Sequence, residues 1–221
     1  MAGIGRGEAQ TTTKAMVPML DFINHRTGAC PRFSYDPRDD TFSVASERAY
    51  MKGEQVYITY GEKNNDDLLS LYGFLEEDNP ADIYQLSDLL QWLVLACEHP
   101  RCGDQTAREA RSNKLEEMGL LSKLMQGTVS RSDNFSPDLL EALRAFVATP
   151  EEISKGAFSS RVSQDNEQAV LDILKAHCIA LLAIKIENPT SQDPVEELIL
   201  RFRLAKRKVL KELFYKGVFS A

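Results

Sequence analysis

Cysteine is scarce. Four residues in a chain of 221 are too few and too scattered for a disulfide scaffold. Long apolar runs are missing, and nothing approaches the roughly 18–20 consecutive apolar residues of a membrane span. The opening stretch, MAGIGRGEAQTTTKAM, lacks the apolar core of a secretory signal. Positive charge is in deficit. Against 33 Asp and Glu stand 26 Lys and Arg, a net charge of −7, which argues against nucleic acid as a general partner. These absences read together as an intracellular, reduced protein with no membrane partner. Cytoplasm, nucleus and plastid are not distinguished, and oligomeric state is left open. The remaining composition, 43% hydrophobic and 27% charged, is that of an ordinary globular chain, long enough for one large domain or two small ones.

What is present falls into three stretches. Residues 1–15 hold Gly3, Gly5, Gly7 and three consecutive threonines, and are expected to form a flexible arm. Their G-x-G-x-G spacing would need a strand before it and a helix after it to act as a phosphate loop, and the sequence offers neither. Residues 16–80 are β-rich. Asn24 to Gly28 reads as a polar turn. Arg32 to Tyr35 and Thr41 to Ala45 alternate with period two around the turn Asp36-Pro37-Arg38-Asp39-Asp40, a hairpin pattern. Gln55 to Tyr60 is dense in β-branched and aromatic residues, a third strand. A short helix follows, opened by Asn64 or Asn65, carrying Leu68, Leu69, Leu71 and Tyr72 on one face and ended by Gly73. Residues 81–221 are expected to be all-helical. Leucine-dense Leu86 to Cys97 is followed by helical spacing over Thr106 to Leu121. Ser136-Pro137 marks a helix start, Ser163 to Ile186 a long helix, and Asp193-Pro194 the start of a last helix to about Phe214. The fold class expected is α+β.

Three segments carry chemistry. They are Val17-Pro18-Met19-Leu20-Asp21-Phe22-Ile23-Asn24-His25, Gly53 to Gly61 with Tyr57 and Tyr60, and Asn64 to Phe74. In order and spacing they resemble the C-terminal part of a SET domain, in the subfamily of the Rubisco large-subunit lysine methyltransferase. Leu200 to Leu210 looks like the final helix of that subfamily's helical substrate-binding domain, so the resemblance runs over about residues 16–216. It implies a protein-lysine N-methyltransferase that uses S-adenosyl-L-methionine and docks its protein substrate on the helical domain. By resemblance, Asn24 and His25 bind the cofactor, and Tyr60 is the catalytic tyrosine beside the transferred methyl. Tyr72, with Tyr57 and Phe74, lines the lysine channel. Histidine acceptors also occur among similar proteins. Only sixteen residues precede Val17, so the glycine-rich N-terminal half of a SET domain is expected to be absent from this chain. The alternative reading is a non-catalytic interaction fragment that keeps the substrate-binding domain.

Two further patterns leave alternatives open. Cys97-x-His99-x-x-Cys102, completed by His177-Cys178, has zinc-ligand spacing, but buried thiols are the preferred reading and no metal is expected. Residues 201–216 carry seven cations against Glu212, while residues 60–82 carry seven acids against Lys63. These are either two solvated faces or surfaces that dock a substrate protein.

Overall fold

A computed structural model describes residues 17–189 and 193–219. The expected arm over 1–15, with its Gly5-Arg6-Gly7, lies outside the described residues. The chain forms two compact units, one ending at Gly61 and the other starting at Glu62.

The first unit is built on two sheets of two strands each. Strand β1 (Asn24–His25) pairs in parallel with β4 (Tyr57–Ile58), Asn24 opposite Tyr57 and His25 opposite Ile58. The polar break read at Asn24 is therefore a strand at its start, and only Thr27-Gly28 turns. A two-residue strand has no period to recognise, and its partner lies more than thirty residues away. The third strand is correspondingly shorter than expected. Strands β2 (Arg32–Asp36) and β3 (Thr41–Ala45) form the expected antiparallel hairpin. Its turn is held locally: Asp36 Oδ1 accepts from Arg38 N at 2.9 Å, and Tyr35 Oη donates to Asp40 Oδ1 at 2.7 Å. Phe33 and Phe42 pack with ring centroids 6.1 Å apart, yet both are exposed.

The second unit opens with helix α1 (Asn65–Tyr72). Asn64 caps it by accepting from Asp67 N at 2.9 Å, and Gly73 closes it at φ 75°, a conformation that disfavours any residue with a Cβ. Helices α2 (Leu89–Leu95), α3 (Gln105–Glu117), α4 (Leu121–Met125), α5 (Pro137–Phe146), α6 (Pro150–Lys155), α7 (Gln164–Ala183) and α8 (Pro194–Tyr215) follow. The unit is not purely helical. Strands β5 (Ile83–Gln85), β6 (Thr128–Ser130) and β7 (Asn134–Phe135) make a small antiparallel sheet in the order given. Gly127 leads into β6 where a Cβ would lie 2.6 Å from Leu139 Cδ1, so the Leu139 side chain of α5 packs into the space a larger residue would fill.

The core follows from helical period. In α7, Asn166, Ala169, Val170, Ile173, Leu174, His177 and Cys178 are buried, spaced by three and four. Ala169, Val170, Ile173, Leu174 and Cys178 pack with Leu89, Leu93, Leu115, Leu124, Leu143, Phe146 and Leu210 in one continuous cluster. Helix α7 ends at Ala183, short of the Ile186 end expected from sequence.

Helix α6 is set by the capping box of Thr149 and Glu152, a signal legible in Thr149-Pro150-Glu151-Glu152. Glu152 is buried and collects partners. Thr149 N donates to it at 2.9 Å and Ser163 Oγ at 2.6 Å, and Arg101 Nη1 lies 3.1 Å away. Burial pushes its pKa up, but the Ser163 hydroxyl, the Thr149 N–H, the Asn166 amide and the Arg101 charge together outweigh that and bring it down to about 2. A carboxylate lowered on folding stabilises fully above its unfolded value of 4.5, and that stabilisation is lost as pH falls toward 2. Glu152→Gln is therefore expected to lower unfolding stability at pH 7 by roughly 2–3 kcal/mol. It should also flatten the loss of stability between those two pH values, both read by urea unfolding at pH 7 and pH 3.

Candidate functional site

In the first unit the resemblance-derived residues meet at the β1–β4 pair. The chain leaves β4 and turns Tyr60 back toward β1. Its backbone N–H donates to His25 Nδ1 at 3.0 Å, and its hydroxyl donates to the Ile23 carbonyl at 2.9 Å. The His25 and Tyr60 rings lie 5.1 Å apart and tilted by 34°. Because Nδ1 accepts, the proton of the neutral His25 ring sits on Nε2, which lies 3.2 Å from Thr27 Oγ1. His25 is buried, and both ring nitrogens are engaged inside the unit. Asn24 is exposed, and its side-chain amide makes no hydrogen bond to the described residues.

Tyr57 is half-buried beside this junction. Its hydroxyl donates to Gln55 Oε1 at 3.0 Å, and the Arg26 guanidinium lies 4.8 Å from its ring centroid. Arg26 pairs with Glu47 at 2.7 Å, and Glu47 also accepts from Cys30 N at 2.7 Å. The Cys30 N–H first, and the Arg26 charge after it, hold the Glu47 carboxyl below the usual carboxylate range. Arg26, Thr27 and Glu47 were not singled out from the sequence. Their only sequence signal is adjacency to the Asn-His pair, or, for Glu47, none.

Tyr72 and Phe74 belong to the second unit. Tyr72 ends α1 and is exposed, and its ring lies 6.2 Å from that of Phe74. Beneath them runs a buried polar network. Asn65 N and Nδ2 donate to the two oxygens of Asp82 at 3.0 and 2.9 Å, and Asn65 Oδ1 accepts from Glu76 N at 3.0 Å. Lys206 of α8 donates to Asp82 at 2.6 Å, to the Ile83 carbonyl at 2.8 Å, and to Asp66. Arg201 pairs with Glu77 at 2.9 Å, and Lys208 pairs with Asp78. The acidic stretch and the basic helix, which the sequence presents as two separate faces, thus contact each other.

The cysteine-histidine pattern does not converge on a metal site. Among the described residues no group of three His, Cys, Asp or Glu could hold an ion. Cys97 lies beyond the end of α2, is buried, and packs against Cys102. His177 sits in the core against Trp92, with ring centroids 4.9 Å apart. Its Nε2 is 3.3 Å from Asp88 Oδ1, close enough for attraction but outside hydrogen-bond alignment. Burial first of all lowers its pKa.

Residues 103–210 match the family described as Rubisco LSMT substrate-binding. Over 213 residues the chain is 25% identical to SET domain-containing protein 4 of Homo sapiens, which covers 93% of this chain and 46% of that protein. The chain is a relative of the SET-domain, Rubisco-LSMT-like protein methyltransferases. It is also 33% identical over 234 residues to actin-histidine N-methyltransferase of Danio rerio, covering 94% of this chain and 37% of that protein. A third relative, N-lysine methyltransferase setd6 of Danio rerio, is 35% identical over 102 residues, or 46% of this chain and 20% of that protein. The chain therefore spans less than half the length of these methyltransferases. The family match falls on the helical unit, whereas the His25–Tyr60 junction lies in the other. No described helix is long and apolar enough to cross a membrane.

Proposed function

We propose that the chain works in S-adenosyl-L-methionine-dependent methyl transfer to a lysine side chain of a protein substrate. One observation carries the reading: the Asn-His strand lies parallel to the strand that delivers Tyr60, which closes back on His25 and Ile23. The cofactor supplies an electrophilic methyl on a sulfonium. The residues present fit such a group. Asn24 offers a polar edge with both donor and acceptor. Tyr60 gives its proton to Ile23, so its oxygen acts toward a ligand as an acceptor, suited to a polarised methyl or an ammonium.

The remaining work is positioning and desolvation. A lysine attacks only when neutral, and an apolar aromatic wall favours the neutral form. In the first unit Tyr57 is the candidate for that wall; Tyr72 and Phe74 are the residues of the second unit to which the resemblance gives the same role. Holding the nucleophile in line is a matter of orientation and needs no further acid or base. Docking of the protein substrate is assigned to the helical unit. That unit carries an open cleft of about 580 Å³ floored by Leu181, Ile184, Phe202 and Leu210, with Lys185 and Arg203 along it.

The test is calorimetric titration of the folded 221-residue chain with S-adenosyl-L-methionine, followed by mass spectrometry of a lysine- and histidine-bearing protein substrate. Micromolar binding and a methyl on lysine are expected. A methyl on histidine alone would overturn the lysine assignment. No binding by a chain folded by circular dichroism would favour the second reading, a module that binds a protein without modifying it; the family match confined to residues 103–210 is what favours that reading.

A further inference from the structure

Cys97 and Cys102 sit at the two ends of the short connection that follows α2, Cys102 closing a 3-10 turn that starts at Pro100. Their sulfurs are 3.5 Å apart, and both residues are buried, at 1% and 0% exposure. A disulfide needs its sulfurs at about 2 Å, so the two must close by about 1.5 Å from contact distance. The connection is also clamped from outside. Arg108 of α3 donates to the Val94 carbonyl at 2.9 Å and to that of Cys97. Within the connection, Arg101 of the 3-10 turn lies 3.1 Å from the buried Glu152. No third ligand converges on the pair among the described residues, so a metal is not what brings the thiols together.

We infer that Cys97 and Cys102 form a reversible intramolecular disulfide, with hydrogen peroxide as the oxidant. This goes beyond the methyltransferase reading and does not depend on it. In the neutral pair Cys97 donates to Cys102; when Cys97 ionises, the direction reverses and the Cys102 S–H holds the thiolate. That hydrogen bond, helped by the His99 backbone and the Arg108 charge against the opposing effect of burial, holds the Cys97 thiol below its ordinary value, while Cys102 is pushed up. Cys97 is assigned as the attacking sulfur, and at 1% exposure it meets peroxide only when the connection opens. It attacks one peroxide oxygen, the S–O bond forms as the O–O bond breaks, and water leaves with the thiol's proton. The Cys102 sulfur then attacks the Cys97 sulfenic acid. The S–S bond forms, the S–O bond breaks, and the hydroxide leaves as water with the Cys102 proton. Two thiols lose two electrons and two protons, and one hydrogen peroxide becomes two waters.

The other two cysteines serve as internal references. Cys30 is exposed, and Cys178 is buried with its thiol pushed up to about 12 by that burial. The folded chain is treated with hydrogen peroxide and mapped by mass spectrometry without reduction. Trypsin cuts between the two cysteines, after Arg101, so a linked pair of peptides reports the bond directly. The expected result is a Cys97–Cys102 linked pair lighter by two hydrogens, removed by dithiothreitol, with Cys178 still a thiol. The melting temperature should rise by a few degrees on oxidation and return on reduction. In Cys102→Ser, dimedone should trap a sulfenic acid on Cys97. A Cys30 fully oxidised in a folded chain with no linked pair would overturn the inference. So would sulfinic acid on Cys97 without the link. The wild-type map stands even where the variant fails to fold.

Discussion

Lys206→Met is expected to destabilise the helical unit by about 3–5 kcal/mol, the loss that follows when one partner of a buried ion pair is removed. Lys206 is 8% exposed and Asp82 is 2% exposed. With the ammonium gone, Asp82 keeps its bonds from Asn65 and Ile83 N but carries an uncompensated charge away from water. Asp66 is largely exposed, so it loses little. At this size a loss of that order lowers the melting temperature by about 10 °C. Asp82→Asn alone should also destabilise, because its new amide donor faces the Asn65 donor. The double variant Lys206→Met with Asp82→Asn removes the charge imbalance and should be less destabilised than the sum of the singles, by about 2 kcal/mol. Additive singles, or a Lys206→Met loss below 1 kcal/mol in urea unfolding, would mean that the pair is dispensable.

Tyr60→Phe should reduce methyl transfer by about 100-fold while changing S-adenosyl-L-methionine binding little. The magnitude is that of removing one positioned polar group from a developing transition state. The substitution keeps the ring against His25 and deletes only the oxygen. It also deletes the bond to the Ile23 carbonyl, a cost to the fold of about 1 kcal/mol. The readout must therefore separate chemistry from folding. Single-turnover rates and cofactor affinity are compared at a temperature where circular dichroism shows both proteins folded. A rate within threefold of wild type would remove Tyr60 from the reaction and leave it a brace for Ile23.

The parts of the fold that could be read in advance are those with local signals. The β2–β3 hairpin announces itself by alternation around an Asp-Pro turn, and α1 by Asn64 before it and Gly73 after it. The long helices α7 and α8 carry their own caps, Ser163 and Asp193. What escaped is non-local. The β1–β4 pair joins two dipeptides whose match is invisible to any period, and the β5–β6–β7 sheet uses strands of two or three residues. The basic stretch 201–216 leaves solvation and docking open in the sequence because spacing alone does not show that one cation of seven, Lys206, points inward. Within the candidate site, the resemblance grouped Asn24, His25 and Tyr60. The orientation of the His25 ring, turned in toward the Tyr60 N–H, depends on a contact across 35 residues that only coordinates reveal.

The Lys206–Asp82 bond also has a consequence for the order of events during synthesis. Its partners are 124 residues apart. A ribosome adding about 5–20 residues each second exposes Asp82 and its asparagine several seconds or more before the neutralising lysine exists. Until then the nascent helical unit holds a carboxylate that has to stay hydrated, so its first helices stay loosely packed around β5. Completion of α8 is thus the event that seals the unit.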